Sequence, residues 1–86
     1  MPKICRWDGI AIEMFSPDHP PPHFHALYAE FEARIAIETL DVLTSDLPNR
    51  VLAEVIGWAR QRQAGLLENW ELCRSNQPPS KLTPPG

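Results

Sequence analysis

The sequence predicts an α+β fold: a three- or four-stranded antiparallel β-meander packed on one long C-terminal amphipathic helix. Apolar residues alternate with polar ones through much of the first half of the chain, which is typical of half-buried strands. From residue 52 they recur instead at steps of three and four, which is typical of a helix. A chain of 86 residues has room for one core. We therefore expect one domain over residues 1–76 and a proline-rich flexible tail over residues 77–86.

The predicted strands are the alternating segments, with the weakest signal in the last: residues 10–15, 23–29, 31–38 and 42–44. Residues 16–22 must form a loop, because consecutive prolines cannot donate hydrogen bonds to a strand ladder. The sequence therefore predicts sequential strands with short connections.

The second and third predicted strands can be paired through a two-residue turn at positions 29–30. This register places Phe24 opposite Ile35 and His25 opposite Arg34. One face of the sheet is then apolar and the other polar. We expect both histidines of the strand to point to solvent on the polar face, and the helix to cover the Phe24 face.

The predicted helix starts near Pro48, because proline is tolerated in a first turn. Its apolar positions form one stripe: Leu52, Val55, Ile56, Ala59, Leu66, Leu67, Trp70 and Cys73. Gly65 is the candidate position for a kink. Run to Arg74, such a helix is about 40 Å long at 1.5 Å per residue and longer than the sheet is wide. Its apolar end favours a homodimer through this helix.

Composition excludes several classes of function. The net charge is −3 with eleven acidic residues, so the molecule as a whole has no basic field that attracts nucleic acid. Nucleic acid is not an expected partner, although a local basic patch stays open. No apolar run has the roughly 20 residues of a membrane span. No signal sequence is recognised, so a cytoplasmic protein is expected. Cys5 and Cys73 lie outside any CxxC spacing; reduced thiols are expected and pairing stays open.

All three histidines lie within residues 19–25, in the stretch HPPPHFH. Two histidines two residues apart on a strand can aim their rings at one zinc or nickel ion, so His23 and His25 are candidate metal ligands. His19 is a doubtful third ligand, since an extended proline run places it about 12 Å away. No cofactor is the first expectation, with a divalent metal as the alternative.

The same residues allow a second chemistry. An imidazole near neutral pKa exchanges protons, and an arginine beside it holds a phosphate or a developing anion. His23, His25 and Arg34, with Glu13 or Glu32 orienting a ring, would form a small ribonuclease-like site. Two further interpretations are a protein-binding surface and an ordinary hydrated sheet face, and we favour these two. Whether the protein is an enzyme stays open.

Several segments resemble one small bacterial family, namely MPKIC, GIAIEMF, DHPPPHFHALY, ARIAIETLDVL, DLPNRVL and LLENWEL. With these segments, the chain resembles the family called domain of unknown function 4160 from residue 1 to about residue 72. The resemblance implies a cytoplasmic α+β protein, often encoded beside another short domain (unknown-function family 2442), in a toxin–antitoxin-like module. Its implied functional positions are Asp18, His19, His23, His25, Asn69 and Trp70.

The sequence therefore predicts a protein-interaction module, with one half of a toxin–antitoxin-like pair as its specific form. The expected partners are the neighbouring small domain, a second copy, or both. The expected binding surface combines the family positions with Arg34. Metal binding by His23 and His25, and acid–base catalysis by His25 and Arg34, are the alternatives.

Overall fold

A computed structural model describes residues 3–15 and 19–85. It contains seven elements: β1 (Lys3–Trp7), β2 (Ile10–Glu13), β3 (His23–Tyr28), β4 (Phe31–Ala36), β5 (Val42–Ser45), α1 (Asn49–Arg60) and α2 (Gln63–Arg74). The strands form one antiparallel sheet in the order β1-β2-β3-β4-β5. The α+β class and the meander are confirmed. The expected three or four strands and one long helix are wrong.

The strand that the sequence pattern missed is β1. Its burial does not alternate, because Ile4 and Cys5 are adjacent and both buried. A register shift between Lys3 and Cys5 in the pairing with β2 explains this, since a bulge interrupts the period of two. A search for alternation therefore misses a strand of this kind.

The helical half divides at residues 61–62 and not at the expected Gly65, which lies inside α2. The backbone N–H of Gln61 donates to the Trp58 carbonyl oxygen and that of Arg62 to the Ala59 carbonyl oxygen, at 3.3 and 2.9 Å. These tighter turns end α1. Both helices bury residues in the same core, so their apolar residues form one continuous pattern in the sequence although the helix is interrupted.

The predicted pairing of β3 with β4 is confirmed residue by residue. Phe24 lies opposite Ile35 and His25 opposite Arg34. Residues 29–30 form the turn, in which Ala29 has a φ of 54°. A two-residue hairpin turn requires this left-handed conformation, and Ala29 adopts it although alanine disfavours it. Period-two alternation was sufficient to set this register.

The core lies between one face of the sheet and the two helices. Phe24 is fully buried, and its ring lies edge-on to Trp58, with 6.2 Å between the ring centroids. Trp7 also packs on Trp58, at 5.2 Å. The helices contribute these buried residues: Val51, Val55, Trp58, Ala59, Leu66, Trp70 and Cys73. The expected covering of the Phe24 face is therefore correct, although two helices provide it.

The C-terminal segment (residues 77–85) follows α2 without regular secondary structure. The backbone N–H of Leu82 donates to the Ile4 carbonyl oxygen at 2.8 Å, so the segment passes beside β1. The flexibility expected of residues 77–86 stays a prediction. Cys5 and Cys73 are buried thiols that do not form a disulfide with each other. In the described part of the chain, no helix has the length and apolarity to cross a membrane.

Candidate functional site

The two histidines of β3 are buried, contrary to the expectation that they point to solvent. His23 is 5% exposed and His25 is 9% exposed. Phe15 covers His25 edge-on at 4.4 Å between ring centroids, and Trp70 of α2 lies 5.4 Å from His23. The polar face is therefore partly covered by chain from outside the strands. Alternation within β3 shows which face a side chain is on, but not whether residues outside the strands cover that face.

His25 forms a close contact with the carboxylate of Glu32. Its Nδ1 lies 2.8 Å from Oε2 of Glu32, and because a carboxylate only accepts, Nδ1 carries the proton and donates. In a neutral ring, Nε2 is then the basic nitrogen. The sequence left Glu13 and Glu32 open as the orienting acid. Glu32 has that position, whereas a carboxylate oxygen of Glu13 lies 4.0 Å from Nζ of Lys3.

His23 is oriented in the same way by the backbone. Its Nδ1 lies 2.8 Å from the carbonyl oxygen of Pro21, which fixes Nδ1 as the donor. The rings of His23 and His25 are 5.3 Å apart, centroid to centroid. Both imidazoles thus use Nδ1 for an internal hydrogen bond. An oriented pair of this kind is more ordered than a hydrated surface requires.

An open cleft of about 520 Å³ lies on the polar face across β3, β4 and β5. It is lined by seven residues: His25, Glu30, Glu32, Arg34, Thr44, Ser45 and Asp46. The lining contains three acidic side chains and one arginine, so the cleft is acidic when the histidine is neutral. Its volume and the polar groups that converge on it make it a candidate binding site.

Hydrogen bonds across the strands organise the floor of this cleft. The backbone N–H of Glu32 donates to Oδ1 of Asp46 at 2.8 Å, and Nε of Arg34 lies 3.4 Å from Oγ1 of Thr44. Arg34 is exposed, and among residues 3–15 and 19–85 it has no carboxylate within 4.0 Å. Its guanidinium therefore faces the cleft with donors available.

The remaining predicted site residues do not meet at this cleft. Asp18 lies outside the described residues, and His19 is exposed in the loop before β3. Asn69 is 1% exposed, and its amide pairs with the backbone of Ser80 rather than with either histidine. Trp70 is buried beside His23. The implied functional positions thus divide between two parts of the fold.

Four of the seven residues that line the cleft were absent from the sequence prediction: Glu30, Thr44, Ser45 and Asp46. The signal for Thr44 was available, because the short predicted fourth strand places it next to Arg34 once the strands pair. Asp46 gave no such signal, since it follows β5 and reaches the cleft through the hydrogen bond to Glu32.

A preformed metal centre is not present among the residues that the structure describes, where no three histidine, cysteine, aspartate or glutamate side chains are arranged to hold an ion. A metal bound at these rings would be held through Nε2, since Nδ1 of His23 and of His25 is engaged. Such an outer hydrogen bond is usual for a metal-bound histidine. Further ligands would have to come from a bound molecule or from outside the described residues.

Comparison with known families agrees with the motifs. The family described as "Domain of unknown function (DUF4160)" matches residues 9–71. The chain belongs to the DUF4160 family. No curated protein and no solved structure matches the chain. The matched residues include β2 to β5, α1 and most of α2, so the family region contains the cleft, whereas the C-terminal segment lies beyond it.

Proposed function

We propose that this protein is a protein-interaction module whose partner binds at the cleft on β3, β4 and β5. The observation that carries the proposal is that β5, which contributes Thr44 and Ser45 to the cleft, also carries exposed apolar side chains. Val42 and Leu43 are 42% and 43% exposed, and they are the large hydrophobic residues found exposed in the described part of the chain. Protein interfaces typically combine an apolar contact area with polar groups around it.

Charge indicates what kind of partner segment the cleft accepts. Glu30, Glu32 and Asp46 outnumber Arg34 in the lining. A segment that presents lysine or arginine beside an apolar residue complements this arrangement, and a partner carboxylate would be accepted only at Arg34. Complementary charge mainly sets association rate and selectivity, while apolar contact supplies affinity. The expected partner is therefore a basic, partly apolar segment of another protein.

The geometry of β5 favours side-chain docking over extension of the sheet. This edge strand has four residues, and its pairing with β4 shifts so that Leu43 has no partner in the register. Short length and a bulge are devices that discourage strand addition. The shift also leaves the Leu43 side chain exposed for contact.

The family resemblance suggests the partner. A toxin–antitoxin-like pair with the neighbouring small domain would require a stable complex between two small chains. Burial of the exposed β5 residues in such a complex would add to the limited core of an 86-residue domain. A homodimer through the helices is the other partner expectation, and a single mass measurement distinguishes the two.

Calorimetric titration with a purified member of unknown-function family 2442 tests the proposal. Leu43→Ser and Glu30→Lys should each weaken binding by about tenfold, which is a loss of roughly 1.4 kcal/mol. Glu68→Lys is the matched control, since Glu68 is an exposed acid on α2 away from the cleft. Affinity should also fall as salt is raised. A wild-type chain that does not bind refutes the proposed pairing, and binding that ignores both variants refutes the cleft as its site.

A second candidate function is acid–base catalysis, favoured by the His25–Glu32 contact of 2.8 Å. In a hydrolytic reaction, Nε2 of His25 would accept a proton from the attacking water as the new P–O bond forms. The imidazolium would then return this proton to the leaving oxygen as the scissile P–O bond breaks. Glu32 would stabilise the resulting imidazolium, and Arg34 would stabilise negative charge on a phosphate. The acidic lining opposes a polyanion, so a small phosphodiester fits this cleft better than a long RNA.

Hydrolysis of a small phosphodiester and of RNA, measured with purified protein, tests the catalytic candidate. His25→Ala should abolish turnover, Glu32→Gln should reduce it by about 10²-fold or more, and Arg34→Gln should do likewise. His19→Ala is the control, because His19 does not line the cleft. Activity that survives His25→Ala, or an inactive wild-type chain whose expression does not slow growth, removes this candidate.

The metal alternative depends on His23 and His25. Elemental analysis of untagged protein, together with thermal shifts in zinc and nickel, tests it. Bound metal and a shift that His25→Ala removes would support a site at these rings. Protein without metal and without a histidine-dependent shift would end this alternative.

A further inference from the structure

We propose that the groove between the outer edge of β1 and the two helices binds extended segments in trans, and that residues 80–84 of a second copy exchange with the chain's own. In the structure, the groove is filled by residues 80–84 of the same chain. The groove contacts mainly the backbone of this segment and one apolar side chain, that of Leu82. Any copy of the chain therefore offers a matching occupant.

Asn69 is the residue that recognises an extended backbone. Its Nδ2 donates to the carbonyl oxygen of Ser80 at 2.9 Å, and its Oδ1 accepts the backbone N–H of the same residue at 2.7 Å. Such a paired contact requires an extended residue at this position and no particular side chain. With the segment in place Asn69 is 1% exposed, so both of its amide hydrogen bonds to Ser80 are shielded from water.

Trp58 and Arg62 recognise the next part of the segment. The indole N–H of Trp58 donates to the carbonyl oxygen of Thr83 at 2.8 Å. One Nη of Arg62 donates to Oγ1 of Thr83 and to the carbonyl oxygen of Pro84, at 3.2 and 3.0 Å. The guanidinium of Arg62 stacks over the Trp58 ring at 5.4 Å, which orients it. The groove thus has fixed donors for an extended segment.

Leu82 fills the apolar part of the groove, where α2 has a glycine. A Cβ at Gly65 would lie 3.0 Å from a terminal carbon of Leu82, so the missing side chain makes room for this leucine. The backbone N–H of Leu82 donates to the Ile4 carbonyl oxygen, which adds one strand-like bond at the edge of β1. Together these contacts select an extended segment with a leucine at one fixed position. That position is two residues before the residue whose carbonyl oxygen accepts from Arg62.

Exchange with a second copy follows from how this segment is attached. Residues 75–79, which connect α2 to the groove contacts, contain Pro78 and Pro79 and are largely exposed. Two prolines stiffen the connection, and a stiff, short connection lowers the advantage that closure within one chain has over exchange between chains. A tether supplies an effective concentration on the order of 1 mM, so closure within one chain dominates when copies are dilute. The exchanged form costs no contact and becomes competitive only at high concentration.

A complementation experiment on the full chain tests the exchange. Gly65→Val places a branched side chain in the leucine position and blocks the groove, while its C-terminal segment stays intact. Leu82→Asp disables the segment, while its groove stays intact. Neither variant can fill its own groove, so an equimolar mixture at about 1 mM of each chain should form a 1:1 heterodimer in sedimentation analysis. Each variant alone, and the double variant mixed with either, should stay monomeric.

Circular dichroism first establishes that each variant is folded. If Leu82→Asp unfolds, a synthetic peptide of residues 77–85 replaces the mixture. The peptide, added at millimolar concentration to wild-type protein, should move the Leu82 methyl resonances to their solvent-exposed positions. A mixture that stays monomeric overturns the proposal, and so does a peptide that leaves these resonances unchanged. Neither variant touches the cleft at β5, so failure here is independent of the interaction proposed there.

Discussion

Asn69 provides the sharpest stability prediction, because one buried side chain fastens the C-terminal segment to α2. Asn69→Ala removes the donor and the acceptor that engage Ser80 at 2.9 and 2.7 Å. It leaves the helix intact, since alanine is the best helix former. The change in stability therefore reports the two hydrogen bonds and the small space that the shorter side chain leaves.

The expected loss in free energy of unfolding is about 1–2 kcal/mol. Each intramolecular hydrogen bond contributes about 1 kcal/mol net, so two contribute about 2 kcal/mol. Ser80 is exposed, and water can replace the lost partners, which sets the lower bound. In a domain of this size, that loss lowers Tm by about 4–16 °C.

Thermal and urea denaturation followed by circular dichroism measure this loss. Asn49→Ala is the matched control, because Asn49 is an exposed asparagine at the first position of α1, directly after the N-cap Pro48. It should change stability by less than about 0.5 kcal/mol. An Asn69→Ala variant as stable as that control would refute the account of the segment as fastened by this amide.

Asn69→Asp separates the hydrogen bonds from the shape of the side chain. A buried carboxylate facing the Ser80 carbonyl oxygen has its pKa raised on folding, because the charged form loses hydration and meets an acceptor. A raised pKa in the folded state means that the folded chain holds its proton more tightly. This variant should therefore be less stable than Asn69→Ala at pH 7.5 and gain stability, relative to it, as the pH is lowered. A difference independent of pH would contradict this reasoning.

Three further predictions concern the rest of the fold. Gly57→Ala should stabilise the protein by about 0.5–1 kcal/mol in urea denaturation, because the new methyl meets no atom within 4 Å and glycine weakens a helix. Phe24→Ala should cost about 3–5 kcal/mol in the same assay, since this fully buried ring contacts Trp58. Burial raises the pKa of the Cys5 and Cys73 thiols above the ordinary 9.0. Iodoacetamide at pH 8.5 should thus label these thiols more slowly in folded than in unfolded protein. The free energy of unfolding should also fall as the pH rises through 9.0, because the thiols of the unfolded chain lose their protons first.

Sequence alone was sufficient where one face of an element is uniformly buried. The pairing of Phe24 with Ile35 and of His25 with Arg34 followed from period-two alternation, because a slip by one residue would turn every apolar side chain to the wrong face. The same logic failed at β1, where Ile4 and Cys5 are buried side by side at a register shift. Local irregularity hides a strand from a periodic search.

Burial of the histidines lay beyond what local pattern can predict. Alternation along residues 10–15 puts Phe15 on the same face as Glu13, which lies opposite His25 in the sheet, and the Phe15 ring contacts the imidazole. The covering of His23 by Trp70 depends on how α2 returns to the sheet, which is a tertiary property. The break between α1 and α2 at residues 61–62 decides that return, and no glycine or proline marks it.

The two proposed binding regions lie at opposite edges of one sheet, and this arrangement explains why the family positions divide between them. Asn69 and Trp70 are neighbours in sequence, yet successive helical residues point about 100° apart. Trp70 packs against His23, whereas Asn69 turns to Ser80 and the groove beside β1. A single turn of α2 therefore supports both the buried histidine pair and the C-terminal segment. Substitutions that shift this turn should disturb both regions, whereas Leu82→Asp and Leu43→Ser should each affect one.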